Sequence, residues 1–302
     1  MTWLIALIAA LAVFLISATV IIFIIGPTLL LQPRRRKADF YRKLSLPTNP
    51  EELNLDYEEI DIQSADGFRL NCWLIKSKET AKATIVYIHG VADCKIDGLR
   101  FAKLMHDNNF NVFLFDSRRH GNSEGTHCTY GFYEKLDVIN IIDYLSARKD
   151  IHIGKIGLFG TSMGAAIAIQ TAAIDKRISA VVSENSFAAL RKIFDDYQRR
   201  IIKLPFHYLR NIVIIHSELR AKFKARDVAP LESVKNITAP ILFVYGTVDP
   251  LIKYEYSIKL FEQANQPKDI FPINGAAHNN TWDIGGETYH KKLLDFYKRH
   301  LI

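Results

Sequence analysis

The chain has 302 residues, 49% of them hydrophobic and 24% charged, with a formal net charge of +7. This excludes a disordered or low-complexity polypeptide and leaves room for one large α/β domain with an appendage. The positive charge is uneven: Arg191 to Arg226 holds ten Lys or Arg against three acids, and Arg34 to Lys37 adds four more. No nucleic-acid-binding motif accompanies either segment, so no nucleic-acid partner is expected, and both suit contact with anionic lipid or a solvated helix face.

At the N-terminus, Trp3 to Ile25 is a 23-residue run in which only Ser17 and Thr19 are polar. As a helix it would extend about 35 Å, enough for a bilayer core. No Lys or Arg precedes Arg34, so the basic n-region of a cleaved signal peptide is missing and a membrane-spanning anchor is expected. The positive flank Arg34 to Lys37 then directs the rest of the chain to the cytoplasm. Residues 1–31 are read as the anchor, 32–56 as a basic and polar linker, and 57–302 as the folded domain. Cys72, Cys94 and Cys128 are odd in number with no C-x-x-C spacing, which fits reduced, buried thiols. Two sequons, at Asn236 and Asn279, would be glycan acceptors in a secretory lumen, and a glycan on Asn279 would crowd the neighbouring His278.

The domain opens with an alternating hairpin. Ile60 and Ile62 mark one face of the first strand, Asp66-Gly67 the turn, and Phe68, Leu70, Cys72 and Leu74 one side of the second. From Ala83 the pattern becomes short continuous apolar runs, at 84–88, 112–115, 156–159, 180–182, 241–245 and 270–272. Helical stretches alternate with them, at 96–108, 133–148, 163–173, 252–264 and 287–300. Strands buried on both faces and alternating with helices predict a mostly parallel sheet of eight strands flanked by helices, the first two forming the hairpin. In the last helix Tyr289, Leu293, Leu294, Tyr297 and Leu301 share one face. Residues 186–228 break the rhythm with a basic, Tyr- and Ile-rich stretch that Pro205 divides, and are read as a helical cap over the mouth of the sheet.

The chemistry centres on Gly160-Thr161-Ser162-Met163-Gly164, set between the strand run KIGLF and the small-residue run AAIAIQTAA. A G-x-S-x-G serine on a strand-turn-helix is held out for a base to deprotonate. Around it stand His89-Gly90 after the third strand, Asp116 to Gly125 after the fourth, Gly246-Thr247-Val248-Asp249 after the seventh and Gly275-Ala276-Ala277-His278 after the eighth. With these five motifs in order, the sequence from Tyr57 onward resembles the α/β-hydrolase superfamily. Within it, the chain resembles membrane-tethered serine-aminopeptidase-like and lysophospholipase-like hydrolases.

The resemblance implies Ser162 as nucleophile, His278 as base and Asp249 as the acid that orients it, with Glu184 in Ser183-Glu184-Asn185 as an alternative acid. Met163 N–H follows the nucleophile and is one oxyanion donor; by resemblance the second is Val91. His89 and His120 are expected to hold loops rather than react. No zinc, P-loop or dinucleotide motif competes, so no metal and no cofactor are expected. The resulting reading is a serine hydrolase acting on a carboxylic ester of a lipid-like or acyl substrate. A protein S-acyl thioesterase, a peptidase of the same fold and a non-catalytic membrane-tethered interaction protein are the alternatives.

Overall fold

The computed structural model describes residues 2–202 and 207–302. Lys203 and Pro205, which the sequence reading placed in the cap, lie outside the described residues.

The apolar N-terminal run is helical throughout: α1 (Thr2–Val20), a π-helical turn over Ile21–Ile25 and α2 (Gly26–Leu31) form one helix of 30 residues. No residue of α1 is buried, and the Thr19 hydroxyl returns its proton to the Leu15 carbonyl at 2.8 Å, so its polarity is met within the helix. This helix is long and apolar enough to cross a bilayer.

Residues 32–56 are less a free tether than the sequence suggested. They contain α3 (Ala38–Lys43) and a short 3-10 turn, and they lie along the folded domain. Leu31 is fully buried, the Cys128 amide donates to its carbonyl at 2.7 Å, and the Tyr130 hydroxyl donates to the Leu30 carbonyl at 2.7 Å. The Arg35 guanidinium donates to the Ser123 carbonyl at 3.1 Å, and Tyr41 is buried against Asp93 and Cys94.

The domain follows in the order β1 (Tyr57–Gln63), β2 (Arg69–Ile75), β3 (Ala83–Ile88), α4 (Leu99–His106), β4 (Asn111–Phe115), α5 (Glu134–Ala147), β5 (Lys155–Thr161), α6 (Met163–Ile174) and β6 (Ile178–Glu184). The cap comprises α7 (Leu190–Tyr197), a π-helical turn and α8 (His207–Ala221). After it come α9 (Pro230–Ser233), β7 (Ile241–Gly246), α10 (Glu255–Gln263), β8 (Lys268–Ile273) and α11 (Thr281–Leu301). The eight strands form one sheet in the order β1-β2-β4-β3-β5-β6-β7-β8. β2 is antiparallel to β1 and β4, and every other pairing is parallel.

Side-chain alternation divides the core into two layers. Val86, Ile88, Leu158 and Val181 face α5, α6 and α10, while Ile85, Tyr87, Phe159, Val182 and Val244 face α4 and α11. β2 departs from the half-buried alternation read in the sequence. Trp73 and Ile75 are buried as well as Leu70, Cys72 and Leu74, because α4 and Leu55 cover the second face. The three cysteines are free and buried. α11 starts earlier than expected: the helix runs from Thr281, is kinked at Gly286 (φ +50°), and adds Phe296 to the buried face, with Leu294 only partly covered. A third apolar cluster joins Phe187, Leu190, Ile193, Phe194 and Ile214 of the cap to Ala166 and Leu31.

Candidate active site

β5 stops at Thr161 and α6 starts at Met163, so Ser162 carries the whole reversal, with φ +55° and ψ −116°. Such a backbone is costly for a non-glycine residue and marks a position fixed by its surroundings. The surroundings here are backbone. A Cβ on Gly160 would lie 2.2 Å from the Gly164 carbonyl oxygen, and one on Gly164 would lie 1.9 Å from the Ile88 carbonyl oxygen. The elbow therefore nests against the end of β3 only because both positions lack a side chain. The Ser162 amide donates to the Glu184 carbonyl at 2.8 Å, tying the turn to β6.

His278 lies in the loop after β8 with its Nε2 2.9 Å from Ser162 Oγ, and its Nδ1 2.6 Å from Asp249 Oδ2. A carboxylate on Nδ1 selects the tautomer whose Nε2 accepts from the serine hydroxyl. The other Asp249 oxygen accepts from the Leu251 and Ile252 amides at 2.7 and 2.9 Å, so the carboxylate cannot turn away. Asn185, absent from the sequence reading except as part of its tripeptide, bridges the two loops: it donates to the His278 carbonyl at 3.3 Å and accepts from the Gly246 amide at 3.0 Å.

Glu184 also borders the cavity but does not meet His278. Its carboxyl group accepts from the Thr161 and Thr281 hydroxyls at 3.2 and 2.9 Å and from the Tyr289 hydroxyl, and burial raises its pKa. Val91 lies in the loop after β3, and Met163 opens α6 directly after Ser162. Among the described residues neither amide finds a protein acceptor, and Met163 N–H belongs to the first turn of α6, whose dipole is positive at that end.

The Asp116 to Gly125 motif serves the loops. Asp116 accepts from the Lys95 and Asn122 amides at 2.7 and 2.8 Å, which binds the loop after β4 to the one after β3. His89 donates through Nδ1 to the Gly90 carbonyl at 2.7 Å and accepts the Ser117 amide on Nε2 at 2.9 Å. His120 donates through Nδ1 to the Arg118 carbonyl at 2.9 Å. Burial lowers the pKa of both, that of His120 to about 3, so they remain neutral supports.

Over Ser162 opens a cavity of about 590 Å³, a volume within the range of small-molecule sites. Its walls mix aromatic side chains, Phe40, Tyr87, Phe101, Phe159, Tyr197 and Trp282, with charged ones such as Arg36, Asp97 and Arg100. Phe40 shows that the segment leaving the apolar helix supplies part of the wall, which the sequence did not reveal.

A doubly wound sheet in this strand order, with a serine elbow after β5 and a histidine after β8, is the α/β-hydrolase fold. Residues 79–233 match the serine aminopeptidase, S33 family, and the chain belongs to that family of hydrolases. It is 30% identical over 237 residues to YqkD of Bacillus subtilis, covering 78% of this chain and 77% of that one. It is 29% identical to the α/β hydrolase domain-containing protein WAV2 of Arabidopsis thaliana, covering 85% and 83%. Among solved structures, an esterase of Pyrococcus furiosus, Pf2001, superposes with a TM-score of 0.74 at 24% identity, covering 90% of this chain and 99% of that one; at that identity the likeness is one of fold.

Proposed function

We propose that the protein is a membrane-anchored serine esterase that cleaves a carboxylic ester of a lipid-like or acyl substrate through an acyl-enzyme intermediate. The observation that carries this is the continuous chain Ser162 Oγ, His278 Nε2, His278 Nδ1, Asp249 Oδ2, with links of 2.9 and 2.6 Å, in a cavity with several aromatic walls. Ser162 Oγ attacks the acyl carbonyl carbon and passes its proton to His278 Nε2. The oxyanion that forms is met by the Val91 and Met163 amides, each such donor being worth roughly 3 kcal/mol of barrier. Collapse breaks the ester bond, and His278 gives the proton to the leaving alcohol. A water molecule, deprotonated by the same imidazole, then attacks the acyl-serine, releasing the acid and restoring Ser162. Asp249 holds the imidazole in register and stabilises its cationic form.

The apolar helix anchors the enzyme, and the four positive charges after it favour a cytoplasmic domain, which protease protection of sealed membranes tests. Arg199 and Arg200 of the cap, both exposed, add attraction to anionic lipid. An enzyme held at the bilayer meets acyl lipids at high local concentration, which supports a lipid-like ester or, on a membrane protein, an S-acyl thioester.

A fluorophosphonate probe on the full-length protein tests the mechanism. Wild type is expected to label and Ser162→Ala not to label, with turnover of the variant lower by roughly 10⁶-fold; equal labelling would overturn the assignment. A panel of esters from acetate to palmitate, with an acyl thioester and an aminoacyl amide alongside, separates the substrate classes.

A further inference from the structure

Among the described residues of the cap, the loops and α7 bury most of their apolar side chains, and α8 does so on one side only. Ile214, Ser217, Glu218 and Ala221 turn inward, but Tyr208, Leu209, Ile212, Ile215 and Leu219 lie open with exposures of 79, 47, 37, 49 and 65%. At 3.6 residues per turn these five fall within a stripe about 120° wide. Scattered exposed apolar residues need no explanation, but a continuous stripe on one helix marks a surface that something covers.

What covers it follows from the neighbour along its edge. Val213, His216 and Arg220 lie along the Leu209 edge of the stripe, overlapping it at His216, and all three meet the apolar N-terminal helix. The His216 ring stands edge-on to Phe23 with centroids 4.3 Å apart, Arg220 Nη1 donates to Thr28 Oγ1 at 2.9 Å, and Val213 fills the space a Cβ on Gly26 would need, 2.9 Å away. The helix segment that α8 touches also keeps lipid-like side chains open, Ile24, Ile25 and Leu29 being 57, 44 and 71% exposed. Residues 2–25 span about 36 Å as a helix against a hydrocarbon core of about 30 Å, so the contact at Phe23, Gly26 and Thr28 falls at the bilayer boundary.

We infer that the open stripe of α8 is a second membrane contact, seated in the boundary between headgroups and acyl chains, so that the cap and not only the N-terminal helix rests on lipid. This rests on the reading that residues 2–31 cross a bilayer. The partner is the bilayer because the stripe continues the surface of a helix that itself must face lipid, and because exposed cations, Arg220 in the last turn of α8 and Lys222 directly after it, stand at the end of the stripe as they do on interfacial amphipathic helices. One consequence concerns substrate access. Tyr197, at the end of α7 in the same cap, lines the Ser162 cavity, so a cap seated on the membrane holds the cavity roof next to the acyl chains.

The test uses the full-length protein in nanodiscs of phosphatidylcholine and phosphatidylglycerol. Because the native thiols are buried, an environment-sensitive fluorophore can be placed on Ile215→Cys, Leu219→Cys, Leu11→Cys in the apolar helix and Lys291→Cys on the exposed side of α11. The expected result is blue-shifted emission at 215 and 219, quenched by roughly half or more by shallow doxyl-labelled lipid, with deep quenching at 11 and none at 291. Quenching at 11 but not at 215 and 219 overturns the inference and leaves the anchor intact. A blue shift at 215 and 219 without lipid quenching overturns it in favour of a second copy of the chain covering α8. Absence of quenching at 11 removes the anchor reading and this inference with it.

Discussion

Glu184 at the end of β6 and Asp249, three residues beyond β7, are the two acids the sequence offered to His278, and they are put to different uses. Asp249 gives one oxygen to the imidazole and the other to two backbone amides, whereas the Glu184 carboxyl group is occupied by three hydroxyls from Thr161, Thr281 and Tyr289. Glu184 thus braces the elbow and the start of α11 from beneath. Asp249→Asn should lower kcat by about 10⁴-fold, because an amide cannot hold the productive tautomer. Glu184→Gln should stay within about threefold of wild type, the loss expected from one weakened hydrogen bond. Steady-state kinetics on a short chromogenic ester decides between them, and the reverse ranking would move the acid role to Glu184.

At the scale of elements, the segment between α2 and β1 behaves as a strap across the loop that carries Val91. The Arg36 amide donates to the Ala92 carbonyl at 3.1 Å, and its guanidinium pairs with Asp93. The Tyr41 hydroxyl donates to Asp93 at 3.3 Å and accepts the Cys94 amide at 3.3 Å. Ala92 itself sits at φ +68°, a conformation that needs outside support. Loosening the strap should misplace the Val91 amide proposed as an oxyanion donor and cost part of the roughly 3 kcal/mol such a donor supplies. Arg36→Ala is accordingly expected to lower kcat by about tenfold with little change in KM for a short ester, and Arg36→Lys to recover part of the loss. A rise in KM at unchanged kcat would instead assign Arg36 to the substrate wall alone.

Over the whole molecule, His89 and His120 make stability sensitive to acid. Both are buried and neutral in the folded state, with pKa values below the usual 6.5, about 3 for His120. Below pH 6.5 the unfolded chain takes up protons that the folded one refuses, so stability is complete above that pH and falls as pH drops toward 3. Each such histidine contributes at most about 1.4 kcal/mol per pH unit over its window. Asp137, which burial raises to about 7, acts in the opposite sense, so the informative quantity is a difference between proteins. His120→Asn should lose less thermal stability than wild type between pH 7 and pH 5, measured by unfolding in detergent; parallel losses would show that folded His120 takes up its proton at the same pH as the unfolded chain.

The strand pattern, the elbow and the loops that bring Asp249 and His278 to Ser162 were legible in the sequence because they rest on local rules. Continuous apolar runs mark strands covered on both sides, Gly160 and Gly164 mark a backbone approach no side chain survives, and loop residues directly after strands gather at one edge of a parallel sheet. What stayed hidden depended on which distant surface each segment meets. β2 read as half exposed until α4 and Leu55 covered its second face, and Gly285-Gly286 hid the start of α11, because a kinked helix and a loop share that signature. The docking of Arg36, Phe40 and Tyr41 at the cavity, and the pairing of α8 with the N-terminal helix, are contacts between segments far apart in sequence. Periodicity specifies that a face is apolar. Only tertiary packing decides whether that face meets a sheet, a substrate or a membrane, because that choice is set by the shape and burial of residues elsewhere in the chain.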